Sequence, residues 1–251
     1  MQSRPLFQEG VALYARNREL NRVPILVTGI LAFLTFILWP DNAFIAYFSY
    51  RDAPTVLRVV LTLAAPGLVI ANGLLGSDAI AREEFIAIEE WLWRSGLPRF
   101  TVAWGKSAVA AIHALLLVLL ASPVIVLAAV PLGISYGEVL YDLAILASCS
   151  LIARFGGLLA LALFHRRVWL VSLFTWMFLM CLLFITLLIE PLLNPFVALL
   201  AEAGEDAGWY AGAFGPRHAR MALLYQLLTA LLLCIAACCA ILSVRDRNRT
   251  D

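Results

Sequence analysis

Long apolar runs separated by short polar breaks set the pattern of this chain. The runs are Val23–Trp39, Val56–Gly76, Val102–Val130, Val139–Phe164, Val168–Ile189 and Met221–Val244. The breaks are Pro40-Asp41-Asn42, the charged stretch Ser77–Lys106, Pro131 with Gly133, His165-Arg166-Arg167, and a polar region after Glu190. A helix crossing a bilayer needs roughly 17–25 mostly apolar residues, and a span exposed to lipid must satisfy its backbone internally. The pattern therefore predicts an all-α polytopic membrane protein of six transmembrane helices. Ahead of the first span, Leu6, Leu13 and Leu20 recur every seventh residue, beside Phe7, Val11 and Tyr14. This predicts an N-terminal helix lying along the membrane interface. After the fifth span, Leu192–Phe196 begins a short interfacial or re-entrant helix, followed by a loop carrying Glu202, Glu205 and Asp206.

Composition agrees with the pattern. The chain is 63% hydrophobic and 14% charged, with a mean hydropathy of +0.91, against roughly half apolar and a quarter charged for a soluble domain. With so little sequence between the runs, residues 1–251 form one transmembrane domain. A net charge of +1 gives no reason to expect a nucleic-acid partner. Cys149, Cys181, Cys234, Cys238 and Cys239 all fall inside apolar runs, as small core residues rather than disulfide or metal ligands. No small-residue cleavage site follows the first run, so it reads as a retained span rather than a cleavable signal.

Charge sets the orientation. Arg4, Arg16, Arg18, Arg22, Arg82, Arg94, Arg99, Lys106, Arg166, Arg167, Arg245, Arg247 and Arg249 fall on the side of the termini and the Ser77–Lys106 stretch; only Arg51, Arg58, Arg217 and Arg220 fall opposite. Lys and Arg collect in cytoplasmic loops, so both termini and that stretch are expected in the cytoplasm, with the chain in the plasma (inner) membrane.

The Ser77–Lys106 stretch holds five acids and four bases. At 100° per residue, Ile80, Ala81, Phe85, Ile88, Trp91 and Leu92 form one apolar arc. Arg82, Glu83, Glu89, Glu90 and Arg94 lie opposite, yet Ile86 and Trp93 sit in the middle of that charged side. Apolar residues on both sides fit a helix over 79–95 held between the membrane and a second protein. An amphipathic helix resting on the membrane alone is the simpler reading, and the pattern leaves both open. Gly96 and Pro98 end the helix.

The run "IAREEFIAIEEWLWRSGLPRFTVAWGK" resembles the first cytoplasmic loop of the permease subunits of type-2 ABC exporters. In that family an Ala-Arg-Glu-rich helix precedes a Pro, and a Gly-Lys pair opens the next span. Here the matching residues are Ala81, Arg82, Glu83, Glu84, Pro98, Gly105 and Lys106. Phe85, Ile86 and Ala87 stand where the family usually has Gly-Thr. "LLNPF", Leu192–Phe196, is a second likeness. The resemblance implies a permease subunit without its own ATPase site, whose helix over 79–95 is a cytoplasmic coupling helix between spans 2 and 3. It implies two ABC ATPase subunits as partners, which would hold ATP and Mg, and a second permease chain, identical or related. No cofactor or metal is expected on this chain. The docking candidates are Arg82, Glu83, Glu84, Ile86, Glu89, Glu90 and Trp93.

Other motifs were weighed against this reading. Gly105-Lys106-Ser107 resembles the end of a phosphate-binding loop, but Phe100 stands where the pattern needs glycine. Glu89-Glu90…Arg94 and Phe214…His218 match two signatures of intramembrane proteases of the prenyl-protein-processing type, yet charge places them on opposite sides of the membrane. His113, His165 and His218 fall in a span, a cytoplasmic turn and an outer loop, so they do not converge. An ion-coupled carrier or a structural subunit of a membrane assembly is the main alternative. Arg154 lies ten residues before Phe164, about 15 Å inside its span, and is a candidate translocation-path residue. A central Arg costs about 2.5–3.5 kcal/mol on insertion scales, so it should face a partner or a water-filled cavity. Asp142 and Glu190 are expected to cap or anchor helix ends, and Gly67, Gly73, Gly76, Gly156 and Gly157 to allow close packing.

Overall fold

A computed structural model describes residues 18–38, 53–77, 98–129, 135–164, 167–189, 193–200 and 216–247. Its helices are α1 (Arg18–Leu38), α2 (Ala53–Ser77), α3 (Arg99–Ala129), α4 (Tyr136–Phe164), α5 (Val168–Met180), α6 (Thr186–Ile189), α7 (Pro195–Leu200) and α8 (Pro216–Arg247). A single π-helical turn, Cys181–Ile185, joins α5 to α6 and continues the same rod. Among the described residues there is no strand. Residues 1–17, which hold the expected interfacial helix, and 79–95, the expected coupling helix, lie outside the described residues.

Five helical segments are long and apolar enough to cross a membrane: Val60–Ser77, Phe100–Ala129, Tyr136–Phe164, Val168–Ile185 and Met221–Ser243. The chain is an all-α, multi-pass membrane protein. Among the described residues α1 adds a shorter apolar segment, Ile25–Ile37. Asn21 and Arg22 make its first turns polar.

The helix ends follow local chemistry. Ser135 caps α4, its Oγ accepting the Glu138 N–H at 3.3 Å. Ser135-Tyr136-Gly137-Glu138 has the Ser-x-x-Glu form of a capping box. The cap is thus Ser135 and not Asp142, which lies well inside α4 and is buried. Pro195 and Pro216 each occupy a first helical position, where the missing N–H costs nothing. With that start, α8 takes in His218, which the sequence pattern places in an outer loop.

α4 is the hub of the bundle. It touches α2, α3, α5, α7 and α8, while α1 leans on α2 and α3. In its membrane window 72% of residues are buried, against 22% for α8, so α8 lies at the periphery. Lipid offers no hydrophobic drive for helices to associate, so close packing of small residues must do it. On α3, Ser107, Ala114, Ala121 and Ala128 recur every seventh residue and all are buried, while Leu115, Leu119 and Leu127 project outward. Bulky apolar groups thus lie both inside, as Leu68, Ile125 and Ile145 do, and outside, and the small residues of α3 mark where a neighbouring helix comes close.

α2 and α4 meet backbone to backbone. A Cβ on Gly76 would stand 2.6 Å from the Arg154 carbonyl oxygen and 3.2 Å from the Gly157 Cα. One on Gly157 would run into the Gly73 carbonyl oxygen and lie 3.1 Å from the Gly76 Cα. Gly156 faces the Phe178 ring, and Gly73 faces Leu179. Four of the five expected glycines thus let α2, α4 and α5 converge at one level. Gly67 does not belong with them, because nothing lies within 4 Å of the Cβ position there.

Candidate functional site

Polar side chains collect inside the bundle at mid-helix. Asn72, Ser148, Ser150, Arg154, Thr175 and Gln226 are all buried, on α2, α4, α5 and α8. Arg154 is the largest of them, at 1% exposure on the hub helix. Its backbone carbonyl lies in the α2–α4 glycine contact, and His113 of α3 is near enough to interact with it electrostatically. The expectation that Arg154 avoids lipid matches its placement, since it is covered on all sides by protein.

One part of this interior is fully bonded. Ser148 Oγ donates to Gln226 Oε1 at 2.7 Å and approaches the Ile145 carbonyl at 2.9 Å. Cys149 Sγ donates to the same Gln226 oxygen at 3.3 Å. This fastens the peripheral α8 to the hub. Toward the other end, Ser107 Oγ and Cys238 Sγ lie 3.1 Å apart, joining α3 to α8. Interhelical hydrogen bonds in membranes contribute about 0.6 kcal/mol on average and up to ~1.7. Gln226→Leu keeps the volume and leaves the Ser148 hydroxyl its own-helix carbonyl, so it is expected to cost about 1 kcal/mol in a reversible detergent-unfolding titration. A loss of several kcal/mol would show that the link carries far more than one bond.

Another part is not fully bonded. Asn72 Nδ2 donates to the Leu68 carbonyl at 3.0 Å, but Asn72 Oδ1, Ser150 Oγ and Thr175 Oγ1 are buried with no hydrogen bond among the described residues. Burying a polar group without a partner costs roughly 1–3 kcal/mol by protein mutational data. A bundle needed only as an anchor gains nothing from such groups.

At the end of the bundle where the π turn lies, α7 folds back against α2, α4, α8 and the π turn. The short helix expected after the fifth span is α7, and Val197, Ala198 and Leu199 bury it against the bundle. Asn194 of "LLNPF" organises this end. Its Oδ1 accepts the N–H groups of Phe196 and Val197 at 2.9 and 3.3 Å, which caps α7. Its Nδ2 donates to the Leu183 carbonyl at 3.0 Å and to Thr186 Oγ1 at 3.1 Å. This role goes beyond the likeness of the motif, and its one signal in the sequence is Asn before Pro at a helix start.

At the opposite end, where α3 and α5 begin, Phe100, Trp104 and Trp169 are exposed beside Arg99, Lys106 and Arg167. Aromatic and basic residues together mark a membrane–water boundary. The chain from Ser77 to Pro98 leaves and rejoins the bundle at this end. Arg82, Glu83, Glu84, Ile86, Glu89, Glu90 and Trp93 belong to that chain and lie outside the described residues. The cysteines are only partly the core residues expected: Cys149 is buried, Cys181, Cys234 and Cys238 are half-buried, and Cys239 is exposed. No known protein family and no curated protein matches this chain.

Proposed function

We propose that this protein is the membrane-spanning permease subunit of an ABC transporter, with export as the direction of transport. ATP and Mg belong to two separate ATPase subunits. A second permease chain completes the pathway, and the chain from 79 to 95 is the coupling helix. The reading includes a sixth span made by α1, the plasma (inner) membrane as location, and both termini in the cytoplasm. Closure of an ATPase dimer would then shift the coupling helices as rigid bodies and change access to the interior.

The observation that carries this reading is the buried polar interior of α2, α4 and α5, with Arg154 in it and three polar atoms that have no hydrogen bond among the described residues, inside a bundle whose outer surface is apolar. Such groups are costly in a static bundle and become useful in one that admits water or a polar cargo. Support from the sequence comes from the two-sided apolar pattern of residues 79–95 and its likeness to the exporter loop. Arg154 is the proposed contact for cargo in the open state.

A second reading, an ion-coupled carrier, draws on Asp142, an intramembrane acid at 6% exposure. One experiment separates the two. Purification of the full-length protein from its native membrane in mild detergent is expected to bring down a P-loop ATPase in stoichiometric amount. Recovery of the chain alone, with activity dependent on an ion gradient, would favour the carrier.

A further inference from the structure

The π turn Cys181–Ile185 holds one more residue than the α-helix around it requires: the Thr186 N–H bonds back to the Cys181 carbonyl, five residues earlier. Such a turn persists only where neighbouring groups hold it. Here the Thr186 hydroxyl donates to the Leu182 carbonyl at 2.6 Å, and Asn194 donates to the Leu183 carbonyl. The same Asn194 side chain caps α7 and is fully buried. One amide therefore ties a non-α turn in the fifth span to the start of α7. Tyr141 Oη, reaching the Ala198 carbonyl at 3.5 Å, ties α7 in turn to the hub.

We propose that the Cys181–Ile185 turn is a two-position register switch and that Asn194 is the pin that holds it in the π position. When Asn194 lets go of Leu183, the turn closes to an ordinary α-helix. Everything beyond it then rotates by about 100° relative to α5, the angle one residue occupies in a helix of 3.6 residues per turn, with a shift of about 1.5 Å along the axis. Thr186–Ile189 would turn with it, and α7 would lose its cap at the same moment. The two events are linked because both depend on one side chain. The switch thus couples the end of the fifth span to the seating of α7 with no large domain movement, and it does not depend on the transporter reading.

The test uses the full-length protein in lipid nanodiscs. Keto amino acids placed at positions 136 and 189, where Tyr136 and Ile189 are exposed, carry nitroxide labels and leave the natural cysteines intact. Pulsed dipolar spectroscopy is expected to give one distance for the parent protein. Asn194→Ala should add a second distance, and deletion of Phe184, which removes the extra residue and so cancels the rotation, should return Asn194→Ala to the parental distance alone. The proposal is overturned if folded Asn194→Ala protein keeps only the parental distance. It is equally overturned if Asn194→Ala carrying the deletion keeps the second distance. Should Asn194→Ala fail to yield monodisperse protein, Asn194→Asp, which keeps the α7 cap and loses the donor to Leu183, takes its place, and the proposal is overturned if it shows only the parental distance.

Discussion

Gly157→Leu is expected to leave almost no correctly folded protein, whereas Gly67→Leu at the same scale of bulk is expected to behave like the parent. At Gly157 the obstacle to a side chain is the α2 backbone, the Gly73 carbonyl oxygen and the Gly76 Cα, which has no rotamer into which to retreat. Overpacking a core costs typically ~1–3 kcal/mol when neighbours can shift. Here the shift required is separation of α2 from α4, and α2 makes the most extensive contact of any helix with the hub. The cost should therefore exceed that range and approach the few kcal/mol by which a domain is stable. Gly67 meets nothing within 4 Å, so leucine there only adds surface facing open space. Size-exclusion profile and thermal midpoint in one detergent measure both. Equal behaviour of the two variants would remove the close α2–α4 approach as the basis of the bundle.

The second large effect concerns the partner and leaves the fold alone. Ile86→Asp combined with Trp93→Asp is expected to abolish ATPase co-purification while the thermal midpoint of the bundle stays unchanged. Both residues break the charged side of the 79–95 pattern, and each is the kind of apolar anchor whose loss at an interface costs about 2 kcal/mol or more. Together about 4 kcal/mol corresponds to roughly a thousandfold weaker binding. Arg82→Gln, a change confined to charge, should weaken association far less at physiological salt. The docking assignment fails if the double variant retains the ATPase through washing, and the whole transporter reading fails if the parent never carries one.

The spans were legible because lipid imposes length and apolarity on them, and these are plain in the chain. The internal arrangement was less so. Where every position is apolar there is no amphipathic stripe to separate inside from outside, and α3 shows what replaces it: the heptad of Ser107, Ala114, Ala121 and Ala128 marks the inner face by size alone. The glycine contacts were anticipated as a group, but nothing local distinguishes Gly67 from Gly73, since the difference lies in whether a neighbouring helix happens to pass. Arg154 was visible as a charge that lipid would not tolerate. The clamp between Ser148 and Gln226 was not, because two neutral polar residues 78 positions apart carry no sign of each other. The role of Asn194 was hidden for a related reason: its cap is local and readable, but its bond to Leu183 depends on a π turn that no residue pattern announced.

The central position of α4 has a consequence for how the protein is made. The Ser148 hydroxyl enters the membrane well before its partner on α8 does, because Gln226 emerges 78 residues after Ser148. At about 5–20 residues per second, synthesis leaves that surface of the fourth helix uncovered for roughly 4–16 s. During that interval the Ser148 hydroxyl has only the Ile145 carbonyl of its own helix to bond, so the helix that organises the finished bundle gains its last partner only when synthesis is nearly over.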